Sequence, residues 1–231
     1  MSAPHTMTQA SPPSMISWEV IDTVLVDMDG TLLDLAFDNF FWLELIPSHY
    51  AKRHGLSEDR AREELLARYR ALEGRLAWYC IDHWSQDLDI DIRALKREHQ
   101  HRIRFFPRAT DFLASVRRRR KRLLLVTNAH PDTLAIKIEQ TGLDEHVDDV
   151  FSSHEFDAPK ETHEFWDRFH AREGFDPPRT LLIEDSVAVL KAASDFGLGS
   201  TLAIRCPDSR HPPRTIEQFP AVDGVHELTR G

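Results

Sequence analysis

The sequence predicts an α/β fold: a Rossmann-like parallel sheet flanked by helices, with an all-helical segment inserted after the first strand. Three observations carry this. Short apolar runs alternate with helical patterns from about residue 121 onward. The stretch from about 37 to 105 is mostly helical in pattern and contains no convincing strand. A separate apolar run, 24–26, precedes that stretch and supplies the first strand. Strands that alternate with helices form parallel sheets through right-handed crossovers.

Taken in order, residues 24–26 read as a short buried strand that ends in Asp27-Met28-Asp29-Gly30-Thr31. Residues two apart in an extended chain point to the same side, so both carboxylates face one point. Gly30 then permits a tight bend. Within the insert, helices are expected over 39–53, 57–72 and 91–104, with the aromatics Phe40, Phe41, Trp42, Trp78, Tyr79 and Trp84 forming mostly its core. The chain returns to the sheet at Pro107. A second strand is expected at 123–126, and a helix at 131–141 with Pro at its first turn and Gly142 past its end. Residues 147–151 form a weaker strand candidate, followed by a helix at 162–172. Further strands at 180–183 and 201–204 flank a helix at 186–196 closed by Gly197. The expected organisation is a leader over 1–17, a sheet core over 18–36 and 107–231, and a helical cap over 37–106. The leader is rich in Ser, Pro, Thr and Ala and reads as disordered rather than as a secretory signal.

Composition narrows the function. The chain has 231 residues and 41% hydrophobic content, enough for one packed core carrying a sizeable insert. Its formal net charge of -9 argues against general nucleic-acid binding, and no apolar run is long enough to span a membrane. The basic run 117–122 reads as a helix C-terminus, where cations complement the dipole. Cys80 and Cys206 are the only cysteines, a pattern without disulfide or zinc spacing that fits a reducing cytoplasm.

Four pieces fall at ends of strand candidates or in loops beside them: Asp27-x-Asp29-Gly30-Thr31, Thr127-Asn128, Lys160, and Glu184-Asp185-Ser186. Sites in open parallel sheets form at the carboxyl ends of the strands, so all four are expected on one edge. A phosphomonoester is served by such a set. One carboxylate acts as nucleophile, and a second protonates the leaving alcohol and then activates water. A hard cation offsets charge on the phosphate, and a hydroxyl, backbone N–H groups and a lysine hold its oxygens. Each piece taken singly has a plainer reading: a polar turn at Asp27, helix caps at Thr127 and Asp185, a surface lysine at Lys160 and a structural or solvated histidine at His130.

In this order the four motifs resemble the haloacid dehalogenase (HAD) superfamily of phosphatases. Asp27 to Asn39, Trp78-Tyr79-Cys80 and Thr127-Asn128-Ala129-His130-Pro131 are similar to the bacterial GMP/IMP nucleotidase branch. That resemblance implies Asp27 as nucleophile and magnesium ligand. It implies Asp29 as general acid/base, offering its backbone carbonyl to the metal. Asp185 would be the third protein ligand, with Glu184 behind it through water. Thr127 and Asn128 would hold the phosphoryl group, and Lys160 its charge. Asp38, Asn39, Trp78 and Tyr79 are candidates for contact with the rest of the substrate. The implied activity is magnesium-dependent hydrolysis of purine 5'-nucleotides, GMP and IMP, with FMN as a further substrate. Rival readings are a phosphatase or phosphomutase acting on a phosphosugar or phosphoglycolate, a metal-dependent glycosyltransferase, and a non-catalytic phosphate-ligand binding protein. The implied partner is a small phosphomonoester, and a monomer is compatible with this reading.

Overall fold

The computed structural model describes residues 16–229. Six strands form one parallel sheet in the order β3-β2-β1-β4-β5-β6. They are β1 (Thr23–Val26), β2 (Arg122–Thr127), β3 (Asp149–Ser152), β4 (Thr180–Glu184), β5 (Ser200–Ile204) and β6 (Ala221–Val222). β1 lies between β2 and β4, with Val26 opposite Leu125 on one side and Ile183 on the other. This register brings the carboxyl ends of three strands level. The two-residue β6 was not expected; it is too short to produce an alternation readable in sequence.

Both faces of the sheet are covered, as the unbroken apolar runs require. Val24, Val26, Leu123, Leu125, Leu181 and Ile183 face the core that includes the insert. Leu25, Leu124, Val126 and Leu182 face the other layer, packed on Phe165, Trp166 and Phe169. That second layer rests on α9 (His163–Glu173) and α10 (Val187–Phe196). Helices α7 (Ala109–Arg118) and α8 (Pro131–Thr141) pack on the first side.

Between β1 and β2 the chain is helical: α1 (Ala36–Phe40), α2 (Ile46–His54), α3 (Glu58–Leu72), α4 (Leu76–Tyr79), α5 (Ile81–Leu88) and α6 (Ile92–Glu98). The entry and exit segments run side by side. Leu33 bridges Phe105 in antiparallel fashion, and Asp34 N–H donates to the Arg104 carbonyl at 3.0 Å.

Three local expectations need correction. The helix expected over 39–53 contains a π-helical turn at Phe41–Leu45. Pro47 lacks the N–H that would bond the Leu43 carbonyl, and the Arg62 guanidinium donates to that carbonyl at 3.5 Å instead. The helix expected over 91–104 stops at Glu98 and continues as a 3-10 turn, Gln100–Arg102. Helices α4 and α5 were not foreseen; Trp84, 1% exposed, anchors them by donating its indole N–H to the Trp78 carbonyl at 2.8 Å. The expected leader lies outside the described residues except for Ile16 and Ser17, and Ile16 is buried. Among the described residues no helix is long and apolar enough to cross a membrane. Cys80 and Cys206 are both free thiols.

Candidate active site

Asp27 follows β1 directly, and its backbone N–H donates to the Ile183 carbonyl at 3.0 Å, so it continues the sheet register. The turn after it depends on Gly30, whose φ is +80°. A Cβ at Gly30 would come within 2.9 Å of the Asp185 side chain, so only glycine lets the two loops meet there.

Lys160, 1% exposed, reaches this point from the loop between β3 and α9. Its ammonium donates to Asp27 Oδ1 at 2.5 Å, to Glu184 Oε2 at 2.7 Å and to the Val126 carbonyl at 2.8 Å. All three ammonium protons thereby have acceptors from three strand ends. Two further bonds fix the Lys160 backbone: its N–H donates to Asn128 Oδ1 at 2.9 Å, and its carbonyl accepts from the Trp166 indole at 2.8 Å. Glu184 uses its other oxygen to accept the N–H groups of Asp185 and Ser186, so both of its oxygens are engaged.

Asp27, Glu184 and Asp185 present carboxylate oxygens within 4.8 Å of one another. Two buried carboxylates and the half-buried Asp185 face one buried ammonium, and Arg214 only flanks Asp185, at 3.4 Å. Burial, then the repulsion of Glu184, pushes Asp27 up to about 8 despite Lys160. Burial and the charge of Asp27 push Asp185 up to about 7. A cluster that resists ionising in this way lacks positive charge. All-oxygen donors in that state fit a hard divalent cation such as Mg²⁺.

The Asp29 carboxylate lies outside this group and turns to Lys137 on α8, whose ammonium donates to Asp29 Oδ1 at 2.6 Å. Thr127 is buried, and its hydroxyl accepts from the Ala129 N–H at 3.1 Å, shaping the turn before α8. Asn128 donates to Glu161 Oε2 at 2.9 Å, and the other Glu161 oxygen accepts the Tyr79 hydroxyl from the insert.

One cavity of about 440 Å³ joins these groups to the insert. Asp27, Asp29, Thr127, Asn128, Lys160, Glu184 and Asp185 form one end. Trp42, Tyr69, Trp78, Tyr79 and Trp84 line the insert side, together with Asp38 and Asn39. The candidate catalytic, metal-holding and substrate-contacting residues named from the sequence therefore border one space. Their commitments differ. Asp38 is held by Lys96 and Lys137, and Asn39 donates to Asp208 at 2.8 Å. Trp78 keeps 36% exposure.

Sequence reasoning missed Glu161, Lys96 and Lys137. Lys137 carried a legible signal, because it lies three residues after Leu134 on the apolar stripe of α8. Glu161 had none beyond its place next to Lys160.

His130 accepts the Asp132 N–H at 3.2 Å as the N-terminal cap of α8, and His154 stacks edge-on against it at 5.0 Å. Asp82 and Asp132 approach His130, but Arg93 already bridges both carboxylates. Burial, and then His130, pushes His154 down to about 4 from 6.5, against a smaller pull from Asp157 and Asp82. A histidine whose folded value is depressed contributes fully above its unfolded value and loses that contribution as pH falls toward the folded one. Thermal melts between pH 7 and pH 4 are therefore expected to show a smaller Tm loss for His154→Gln than for the unsubstituted protein. Equal losses would remove His154 as a source of acid lability.

The sheet with its helical insert, and three strand ends and the Lys160 loop converging on one carboxylate cluster, define a hydrolase class. The sequence profile of the haloacid dehalogenase-like hydrolases matches residues 21–197, and the chain is an enzyme of that family. It is 40% identical over 213 residues to the GMP/IMP nucleotidase YrfG of Escherichia coli K12, covering 92% of this chain and 96% of the relative. Among solved structures it is similar to a HAD phosphatase from Thermococcus onnurineus, with TM-score 0.75 and 21% identity over 90% of this chain and 96% of that one. It is also similar to the L-2-haloacid dehalogenase of Xanthobacter autotrophicus, with TM-score 0.58 and 16% identity over 91% and 97% of the two chains. Those two structures support the fold alone, since the fold hosts different chemistries.

Proposed function

We propose that the protein is a magnesium-dependent phosphatase that hydrolyses purine 5'-nucleotides, GMP and IMP, to nucleoside and phosphate. The observation that carries this reading is the single cavity running from the Asp27–Lys160–Asp185 cluster to an aromatic wall on the insert. Its volume, about 440 Å³, lies in the range of small-molecule pockets. The half-exposed Trp78 offers a flat apolar face to a purine ring. Similarity to a relative named as a GMP/IMP nucleotidase supports the same substrates.

In this reading Asp27 and Asp185, with the Asp29 backbone carbonyl, would hold Mg²⁺, and Glu184 would support the ion from behind Asp185. The ion supplies charge neutralisation on the phosphate oxygens. An Asp27 carboxylate oxygen attacks phosphorus, and the bond between phosphorus and O5' breaks. The protonated Asp29 carboxyl gives its proton to the departing O5', releasing the nucleoside. Asp29, now a carboxylate, takes a proton from water whose oxygen attacks the aspartyl-phosphate. The bond from phosphorus to Asp27 breaks and phosphate leaves. Thr127 and the Asn128 N–H hold the phosphoryl oxygens throughout, and the Lys160 charge offsets theirs. The insert excludes bulk water and contacts the nucleoside. Two distant free thiols are compatible with a reducing cytoplasm as the place of action.

Phosphate release from a panel of nucleotides and sugar phosphates tests this. With Mg²⁺ present, kcat/KM for GMP and IMP is expected to exceed that for AMP and sugar phosphates by about tenfold or more. EDTA is expected to abolish release. Sugar phosphates outperforming GMP and IMP, or full activity in EDTA, would contradict the proposal.

A further inference from the structure

A chain of alternating charges connects Asp29 to the insert. Lys137, 1% exposed, donates to Asp29 Oδ1 and to Asp38 Oδ2, each at 2.6 Å. Lys96, 2% exposed, donates to the remaining Asp38 oxygen at 3.0 Å. The Lys96 ammonium also sits 4.4 Å from the centre of the Phe41 ring. Two carboxylates and two ammonium groups balance, which makes their joint burial tolerable.

The four residues come from four segments in different parts of the fold. Asp29 follows β1, Lys137 lies on α8 beside the sheet, and Asp38 and Lys96 lie on α1 and α6 of the insert. Both Asp38 oxygens are consumed by the two lysines. Asp29 is different: its Oδ1 is anchored, while its Oδ2 has no protein partner among the described residues. Asp29 borders the cavity. Anchoring one oxygen of a carboxyl group restricts the positions its free oxygen can take.

We propose that Lys137 is a positioning residue for the reaction, holding Asp29 so that its free oxygen meets the leaving group, and that Asp38 and Lys96 tie this placement to the seating of the insert. The inference rests on the reading of Asp29 as the acid. It assigns the buried lysine a role in chemistry rather than in fastening the insert alone. A proton donor misplaced by an ångström loses much of its effect, because the transfer needs hydrogen-bond contact in the transition state.

The test compares two leaving groups. The nucleoside alkoxide of GMP needs a proton to depart, whereas p-nitrophenolate leaves without one. Lys137→Met is the direct variant. Because it strands two half-buried carboxylates, Lys137→Met/Asp38→Asn carries the same test with the charges rebalanced. In whichever variant retains the native melt, kcat/KM for GMP is expected to fall about 100-fold, the scale of general-acid catalysis. The fall for p-nitrophenyl phosphate is expected to be at least about ten times smaller. Equal falls for both substrates would reduce Lys137 to a structural anchor and overturn the proposal, as would no fall for either. Asp29→Asn, measured on the same pair, separates the two readings. If it shows no dependence on leaving group, the acid assignment fails and takes the Lys137 proposal with it. If Asp29→Asn shows the dependence and the Lys137 variants do not, only the Lys137 proposal fails.

Discussion

Asp27→Asn is expected to abolish phosphate release while the protein still folds. The amide keeps the shape of the side chain and cannot form an aspartyl-phosphate, so kcat should fall by roughly 10⁴-fold or more, the order seen when a covalent nucleophile is lost. Stability should hold or rise. Asp27 is buried among like charges, with its carboxyl pushed up to about 8. Removing that charge relieves Glu184 and Asp185, and Lys160 keeps its bonds to Glu184 and the Val126 carbonyl. Activity and a thermal melt measured on one preparation check both halves. Full activity would remove Asp27 as nucleophile, and loss of the melt would contradict the expected relief of charge repulsion.

The second large effect is expected at Lys160. Lys160→Met keeps the volume and deletes the ammonium that Asp27 and Glu184 share. Breaking a buried ion pair from one side leaves an uncompensated charge, at a cost of about 3–5 kcal/mol. In a chain of this size that is roughly 6–20 °C in Tm. Activity should be lost as well, because the same ammonium offsets phosphate charge. Mg²⁺ should recover part of the lost Tm, since a divalent ion would restore positive charge to the same carboxylates. A Tm unchanged in the absence of metal would mean that Lys160 does not hold the cluster together.

The central strands β1, β2 and β4 were legible because they carry unbroken apolar runs covered on both faces, and because each run gives way to polar residues at its carboxyl end. Val26 into Asp27, Thr127 into Asn128 and Ile183 into Glu184 mark the edge before any coordinates are known. What brings Lys160 to them is tertiary, through the Asn128 side chain and the Trp166 indole, and no local pattern announces it. The insert was less legible. Its helices are short, and their ends are set by contacts such as the Trp84 indole on the Trp78 carbonyl. The π-helical turn at Phe41–Leu45 was foreshadowed by Pro47, a residue that a continuous helix over 39–53 does not accommodate. The ion chain through Lys137 and Lys96 was hidden for another reason. A lysine on an apolar helix stripe signals a buried partner but does not name it, and Asp29 lies 108 residues away in sequence.

The most direct test of the mechanism is to trap the covalent intermediate. The protein is mixed with GMP and Mg²⁺, quenched during turnover, reduced with borohydride and digested for peptide mass spectrometry. An acyl phosphate is reduced to an alcohol, so residue 27 is expected to appear as homoserine, only when substrate and Mg²⁺ are both present. Reduction at a different carboxylate, or turnover that continues with residue 27 always recovered as unmodified aspartate, would contradict the account.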